Sequence, residues 1–178
     1  MRHNAKFYES EYEEALIDLL TDGTGWQYTY GGNIHRKKRE VLLTDDLSTY
    51  LKDQYKELTD NDVDEIINHL RHVGGQSHFE QLLNTYKLIR DGYRYVRHGD
   101  NKPFDISYVD FDQTANNIFR VVNQFEVGYG MQTDVRIPDV LLFVNGIPLC
   151  IFELKNPADE NATIADAYEQ IHTRYLRD

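Results

Sequence analysis

IPDVLLFVNGIPLCIFELKNP, Ile137 to Pro157, holds two apolar runs separated by Asn145-Gly146. Both central residues accept φ > 0, so the stretch predicts a β-hairpin with a tight two-residue turn. Its rim is charged: Asp139 opens the first arm, and Glu153 and Lys155 close the second around Leu154. Strand side chains alternate, which puts Glu153 and Lys155 on one face and Leu154 on the other. Two carboxylates converging with an ammonium have a definite chemical use. Mg²⁺ takes oxygen ligands in octahedral geometry, usually one or two protein carboxylates plus waters and phosphate oxygens. Such an ion activates water and stabilises charge developing on a phosphodiester. A lysine beside it can orient that water or help deprotonate it. The trio therefore reads as a hydrolytic site for phosphodiesters, against the plainer reading of charges that guard a sheet edge from pairing.

Register separates the two readings. A regular two-residue turn pairs Val144 with Ile147, sets Asp139 opposite Phe152 and leaves Glu153 on the other face of the sheet. A three-residue loop or a β-bulge adds one residue of offset and brings Asp139 opposite Glu153. Opposed β-carbons then lie about 5 Å apart, close enough for both carboxylates to ligate one ion. A shared metal site thus requires an odd loop or a bulge in this hairpin, despite its strong two-residue turn signal.

The rest of the chain bounds what surrounds the hairpin. At 178 residues it is long enough for one domain with a real core, and is read here as a single unit. With 40% hydrophobic and 28% charged residues, disordered and fibrous classes drop out. No apolar run approaches a membrane span, and the N-terminus MRHNAKFYESEYEE lacks a signal peptide's apolar centre, so a cytoplasmic protein is expected. The lone Cys150 cannot form an internal disulfide and reads as a small core residue. A net charge of −11 is the wrong sign for holding a phosphate backbone unaided. At the C-terminus ADAYEQIHTRYLRD is still in helical register at Asp178 with no stop signal, which suggests a longer chain.

Helical spacing dominates the first half. A capping-box pattern at Ser10 and Glu13 precedes a first helix that runs to Gly23. Trp26–Tyr30 reads as a short strand before the basic turn IHRKKRE. An insert of three helices spans about 43–91; the third follows a Ser77/Glu80 capping box and is expected to bury Phe79, Leu82, Leu83 and Tyr86. After Gly92 the period changes to two, giving strands at Tyr93–Val96, Ile106–Phe111 and Ile118–Val127 ahead of the hairpin, and a last helix from about Ala162. Helices, then strands, then a helix predict an α/β fold bordering on α+β, with one mixed central sheet flanked by helices.

Pro138-Asp139, thirteen intervening residues and then Glu153-Leu154-Lys155 resemble the arrangement of the PD-(D/E)XK nucleases. VRIPDVLLFVNGIPLCIFELKNP, preceded by ANNIFRVVNQFEV, LIRDGYRYV and REVLLTDDLSTYLKDQY, narrows the resemblance to the N-terminal endonuclease region of the restriction (R) subunit of type I restriction-modification enzymes. It implies a restriction-endonuclease-like fold, with Asp139 and Glu153 as Mg²⁺ ligands (Mn²⁺ as a substitute) and Lys155 as the catalytic lysine. It also implies double-stranded DNA as substrate, methyltransferase (M) and specificity (S) subunits as partners, and ATP bound only by a motor further along the chain. An acidic residue on the first helix often completes such sites, and Glu13 stands where one is expected, although it reads equally well as the capping residue of Ser10.

The family also carries Gln-x-x-x-Tyr after the lysine. Here Gln170 and Tyr175 are one residue too far apart. In an α-helix five positions leave them about 140° apart, so Gln170 is taken as the site residue and Tyr175 as packing. Arg36, Lys37 and Lys38 in the basic turn are candidate phosphate contacts, against the alternative of a solvated turn. Two further readings stay open: a repair or resolvase-like nuclease on the same fold, and a non-catalytic docking module of a DNA-translocating complex.

Overall fold

The computed structural model describes residues 9–129, 134–155 and 163–175. In chain order the elements are α1 (Glu9–Thr21), β1 (Gln27–Tyr30), α2 (Thr44–Gln54), α3 (Asp60–Arg71), α4 (His78–Asp91), β2 (Tyr93–Val96) and β3 (Pro103–Ile106). They continue with β4 (Phe119–Asn123), β5 (Val127–Tyr129), β6 (Asp134–Arg136), β7 (Val140–Val144), β8 (Ile147–Phe152) and α5 (Ile164–Gln170). The chain divides into two compact units. One comprises Met1–Val41, Phe119–Phe143 and Pro148–Asp178; the other comprises Leu42–Ile118 and Val144–Ile147. The expected α/β class is observed, with five α-helices among the described residues and a four-stranded sheet in the order β1-β4-β7-β8. That sheet is mixed, because β1 and β4 run parallel whereas β7 and β8 are joined by a two-residue turn, which only antiparallel strands allow.

In the first unit α1 lays Ile17 against Val121 of β4 and Val140 of β7, with Leu16, Leu20, Trp26, Leu142 and Phe152 around them. Leu16, Ile17 and Leu20 recur at helical spacing, which concentrates the apolar side chains of α1 toward the sheet. Gly31, at the end of β1, approaches the end of β4 so closely that a Cβ there would fall 2.5 Å from the Gln124 carbonyl oxygen. Gln124 ends β4 with a φ of 52°. The run Ile118–Val127, expected as one strand, is broken there into β4 and β5.

The second unit is built on α2 and α3, whose Leu47, Leu51, Val63 and Ile66 are buried with Tyr95, Ile106 and Tyr108. Thr59 and Asp62 form a reciprocal capping box at the start of α3. Ser77 caps α4 as expected, and Gly92 ends it with a φ of 69°. The apolar stripe of α4, however, is not buried: Phe79, Leu82 and Tyr86 are 74%, 62% and 55% exposed. This helix is held instead from its C-terminal end, where Leu88 and Ile89 pack against the core. The strand expected at Ile106–Phe111 lies earlier, at Pro103–Ile106, paired with β2; Tyr108 and Val109 are buried without strand pairing. Among the described residues no helix is long and apolar enough to cross a membrane.

Candidate active site

Asn145 and Gly146 have φ of 51° and 77°, as a type I′ turn requires, so the hairpin turns on two residues. Yet β8 spans six residues and β7, its neighbour in the sheet, five. Across a two-residue turn this leaves one residue of β8 over, as a β-bulge in that strand would. Two observations agree with it. Leu149 and Cys150, adjacent in β8, are both exposed, where a regular strand alternates. Phe152 packs in the cluster of Val140 and Leu142, the face opposite to the one a regular register assigns it. A one-residue offset would pair Phe152 with Val140 and set Asp139 opposite Glu153. The bulge on an edge strand also accounts for Cys150, expected in the core and found exposed.

The local contacts agree. Asp139 Oδ2 accepts a 2.6 Å hydrogen bond from the main-chain N–H of Leu154, the residue between Glu153 and Lys155. This bond orients the aspartate toward the end of β8 while its other oxygen is available as an acceptor. Glu153 and Lys155 are both half-buried and engaged in further interactions, and Oε1 of Glu153 is shielded from solvent. Lys155 also lies close enough to α5 for its charge to act on Asp166. The Asp166 carboxyl is held below the ordinary aspartate value, first by hydrogen bonds from Thr163 and then, to a smaller extent, by Lys155.

Glu13 is not a capping residue. Ser10 lies inside α1, so the capping-box reading is excluded, and the Glu13 carboxylate is bound across to the end of β4. Asn123 Nδ2 donates to its Oε1 at 2.6 Å, and Gln124 Nε2 to its Oε2 at 3.4 Å. Sequence reasoning missed both amides, because Gln124 is not a turn-forming residue type and no glycine or proline marks the strand break there. Among the described residues no group of three His, Cys, Asp or Glu side chains is arranged to hold a metal ion; Glu13, Asp139 and Glu153 do not form a closed triad.

The basic turn is built differently from a free phosphate-binding loop. Arg36 stacks over Phe125 with its guanidinium carbon 3.4 Å from the ring centroid. It donates to the carbonyls of Glu40 at 2.9 Å and Glu126 at 2.5 Å. Burial pushes its pKa down, against the opposing pull of Glu126 and Glu40. Lys38 pairs with Glu126 at 2.7 Å, while Lys37 is exposed. Arg36 thus serves the fold, and the turn borders a cleft of about 360 Å³ lined in part by Tyr30, Lys38, Gln124 and Ile137.

Downstream, α5 continues into a π-helical turn at Ile171–Tyr175, and this overturns the 140° argument. A π turn closes i→i+5 hydrogen bonds, so positions 170 and 175 return to one face of the helix backbone. The side chains of Gln170 and Tyr175 lie outside the described residues.

Residues 6–178 match the protein-family model described as Type I restriction enzyme R protein N terminus. The chain is 32% identical over 175 residues to the Type I restriction enzyme HindI endonuclease subunit of Haemophilus influenzae, covering 93% of this chain and 16% of that protein. It is 31% identical over 190 residues to a protein of Methanocaldococcus jannaschii named as the MjaIXP type I restriction enzyme endonuclease subunit, covering 98% of this chain and 18% of the relative. The chain thus spans about a sixth of the length of these curated relatives. It belongs to the family of type I restriction enzyme R protein N-terminal regions.

Proposed function

We propose that this chain is the nuclease domain of a type I restriction R subunit, of PD-(D/E)XK type, which hydrolyses DNA phosphodiesters with Mg²⁺. The observation that carries the reading is the juxtaposition of Asp139 with Glu153-Leu154-Lys155 at the base of the bulged hairpin. The donor set fits the ion: two hard carboxylates without histidine or cysteine suit Mg²⁺, or Mn²⁺ in its place, better than zinc. Mg²⁺ is usually held by one or two protein carboxylates, with waters and substrate phosphate oxygens supplying the remaining ligands. When bound, the ion would supply charge neutralisation at the phosphodiester and a more acidic water. Asp139 and Glu153 would hold it. Lys155 would orient the attacking water and offset negative charge in the transition state.

Duplex DNA is the proposed substrate, brought in by an ATP-driven motor elsewhere in a longer polypeptide and by association with M and S subunits. The relatives, both much longer and both named as type I restriction enzyme endonuclease subunits, accord with a place in a multi-subunit restriction system. Separate Asp139→Ala, Glu153→Ala and Lys155→Ala substitutions in the assembled enzyme are expected to lower double-strand cleavage by about three orders of magnitude or more, while ATP-driven translocation continues. Wild-type cleavage by Asp139→Ala enzyme would refute the assignment.

A further inference from the structure

The carboxyl ends of β1 and β4 open onto the cleft of about 360 Å³, a volume in the range of small-ligand sites. Asn145, at the turn after β7, donates its main-chain N–H to the Ile118 carbonyl just before β4, its neighbour in the sheet. Strand β7 therefore runs antiparallel to β4 and begins where β4 ends. That order puts Ile137 on the cleft wall, two residues before Asp139 in the chain and so within about 7 Å of it, Cα to Cα.

The walls combine an aromatic ring, aliphatic surface and positive charge. Tyr30 and Ile137 both line the cleft and both stay exposed. Gly32 serves the ring. Its φ is not left-handed, so glycine is not needed there for its backbone freedom, yet a Cβ would fall 2.5 Å from the Tyr30 ring. Among the charged side chains that line the cleft, Arg36 and Lys38 are opposed by Glu126 alone, a positive surplus in a chain of net charge −11. The Lys38 carbonyl is anchored by the Gly128 N–H at 2.8 Å, while its ammonium meets Glu126 at 2.7 Å with both side chains about half exposed. An ion pair so exposed holds weakly, and a phosphate oxygen can compete for the ammonium.

We propose that the cleft takes one nucleotide of the strand being cut, turned out of its stack, with the base on the Tyr30 ring against Ile137 and a flanking phosphate at Lys38. An aromatic ring beside a cationic group is the combination that binds single-stranded nucleic acid. In a paired duplex both faces of each base are covered by its neighbours, so a base reaches Tyr30 only after leaving the stack. The inference rests on the nuclease reading and narrows its substrate to a strand locally unpaired beside the scissile bond.

The test is photocrosslinking of 5-iodouracil DNA to the full-length polypeptide without ATP or divalent ions, the labelled peptide being identified by mass spectrometry, alongside cleavage by the assembled enzyme. A single strand should crosslink at Tyr30 at least about tenfold more than the same strand in a paired duplex, which must first give up stacking and pairing. Tyr30→Ala should lower cleavage about 5- to 150-fold, the loss of one base stacked on a ring, and Tyr30→Phe, which keeps the ring, should restore it. No crosslink at Tyr30, equal crosslinking of single strand and duplex, or wild-type cleavage by Tyr30→Ala where Asp139→Ala is inactive would each overturn the inference and leave the nuclease reading intact. Cleavage lost in Tyr30→Phe as well, with a lower unfolding midpoint in both variants, would show a structural role and also overturn it. Displacement of the Tyr30 crosslink by excess glutamate peptide, with other DNA crosslinks unchanged, would overturn it in favour of an acidic protein segment. Wild-type cleavage by Asp139→Ala would overturn the nuclease reading itself.

Discussion

Asn145 and Gly146 take left-handed conformations for different reasons, and substitutions should separate them. Asn145 is fully buried; its Nδ2 donates to the Tyr108 carbonyl and to Asn117 Oδ1, and its Oδ1 accepts from Ile118 N–H at 2.7 Å. Gly146 has no side chain because a Cβ would meet the Leu43 carbonyl oxygen at 2.1 Å. Asn145→Gly keeps the backbone but strands three partners, and is expected to cost about 2–4 kcal/mol. Gly146→Ala must displace Leu43 in addition to its φ penalty, for a loss of at least about 2 kcal/mol. Denaturant unfolding checks both, and a change within about 0.5 kcal/mol in either would contradict this account. Asp62 supplies a pH dependence. Burial raises its pKa, but hydrogen bonds from Thr59 and Tyr95 and the charge of Arg97 outweigh that and hold it below the ordinary 3.8. A depressed carboxylate stabilises the fold above its unfolded value, and that stability is lost as pH falls from 3.8 through the lower folded value. Asp62→Asn should cost about 1–3 kcal/mol at pH 7 and flatten the acid limb of the stability curve below pH 3.8.

Two elements each carry one residue more than their regular form accepts, and each absorbs it locally: a bulge in β8 and a π turn after α5. Deleting Cys150 should convert the bulge to a regular ladder and keep Asp139 opposite Glu153, so cleavage should survive. Deleting Leu142 from β7 should shift the ladder and abolish it. Deleting His172 should convert the π turn to α geometry with Gln and Tyr at the family spacing, again with cleavage retained. Loss of cleavage in both tolerated deletions, with folding intact by circular dichroism, would refute this register argument. The same elements show what was legible in the sequence. Thr59-Asp60 and Ser77 announced their helix starts because their capping bonds are made to neighbours in the chain, and Asn145-Gly146 announced the turn because both residues accept φ > 0 at low cost. The motif Asp139, Glu153 and Lys155 was equally plain, and so was the need for a one-residue offset. How the offset is made was not, since a bulge depends on pairing across strands. Glu13 was ambiguous for a related reason: its partners lie more than a hundred residues away, at Asn123 and Gln124. Periodicity also misled at α4, where a helical stripe identifies an apolar face but not whether anything covers it.

Charge governs the behaviour of the whole molecule. With a net charge of −11, and with Arg36 and Lys38 of the basic turn engaged by the fold, the chain has few basic clusters to release counterions from a duplex. Its affinity for DNA at physiological salt should be weaker than about 1 µM, measured by fluorescence anisotropy; a sub-micromolar dissociation constant would contradict this. Stability, in turn, should be indifferent to the exposed stripe of α4: Leu82→Glu should change the unfolding free energy by no more than about 0.5 kcal/mol, because Leu82 is 62% exposed. The exposed thiol of Cys150 has a different use. It is the one cysteine in the chain, on the edge strand three residues before Glu153, so a single nitroxide attached there needs no engineered background. Dipolar broadening of that label by Mn²⁺ would measure how far the ion sits from β8, and would locate the cation without a crystal.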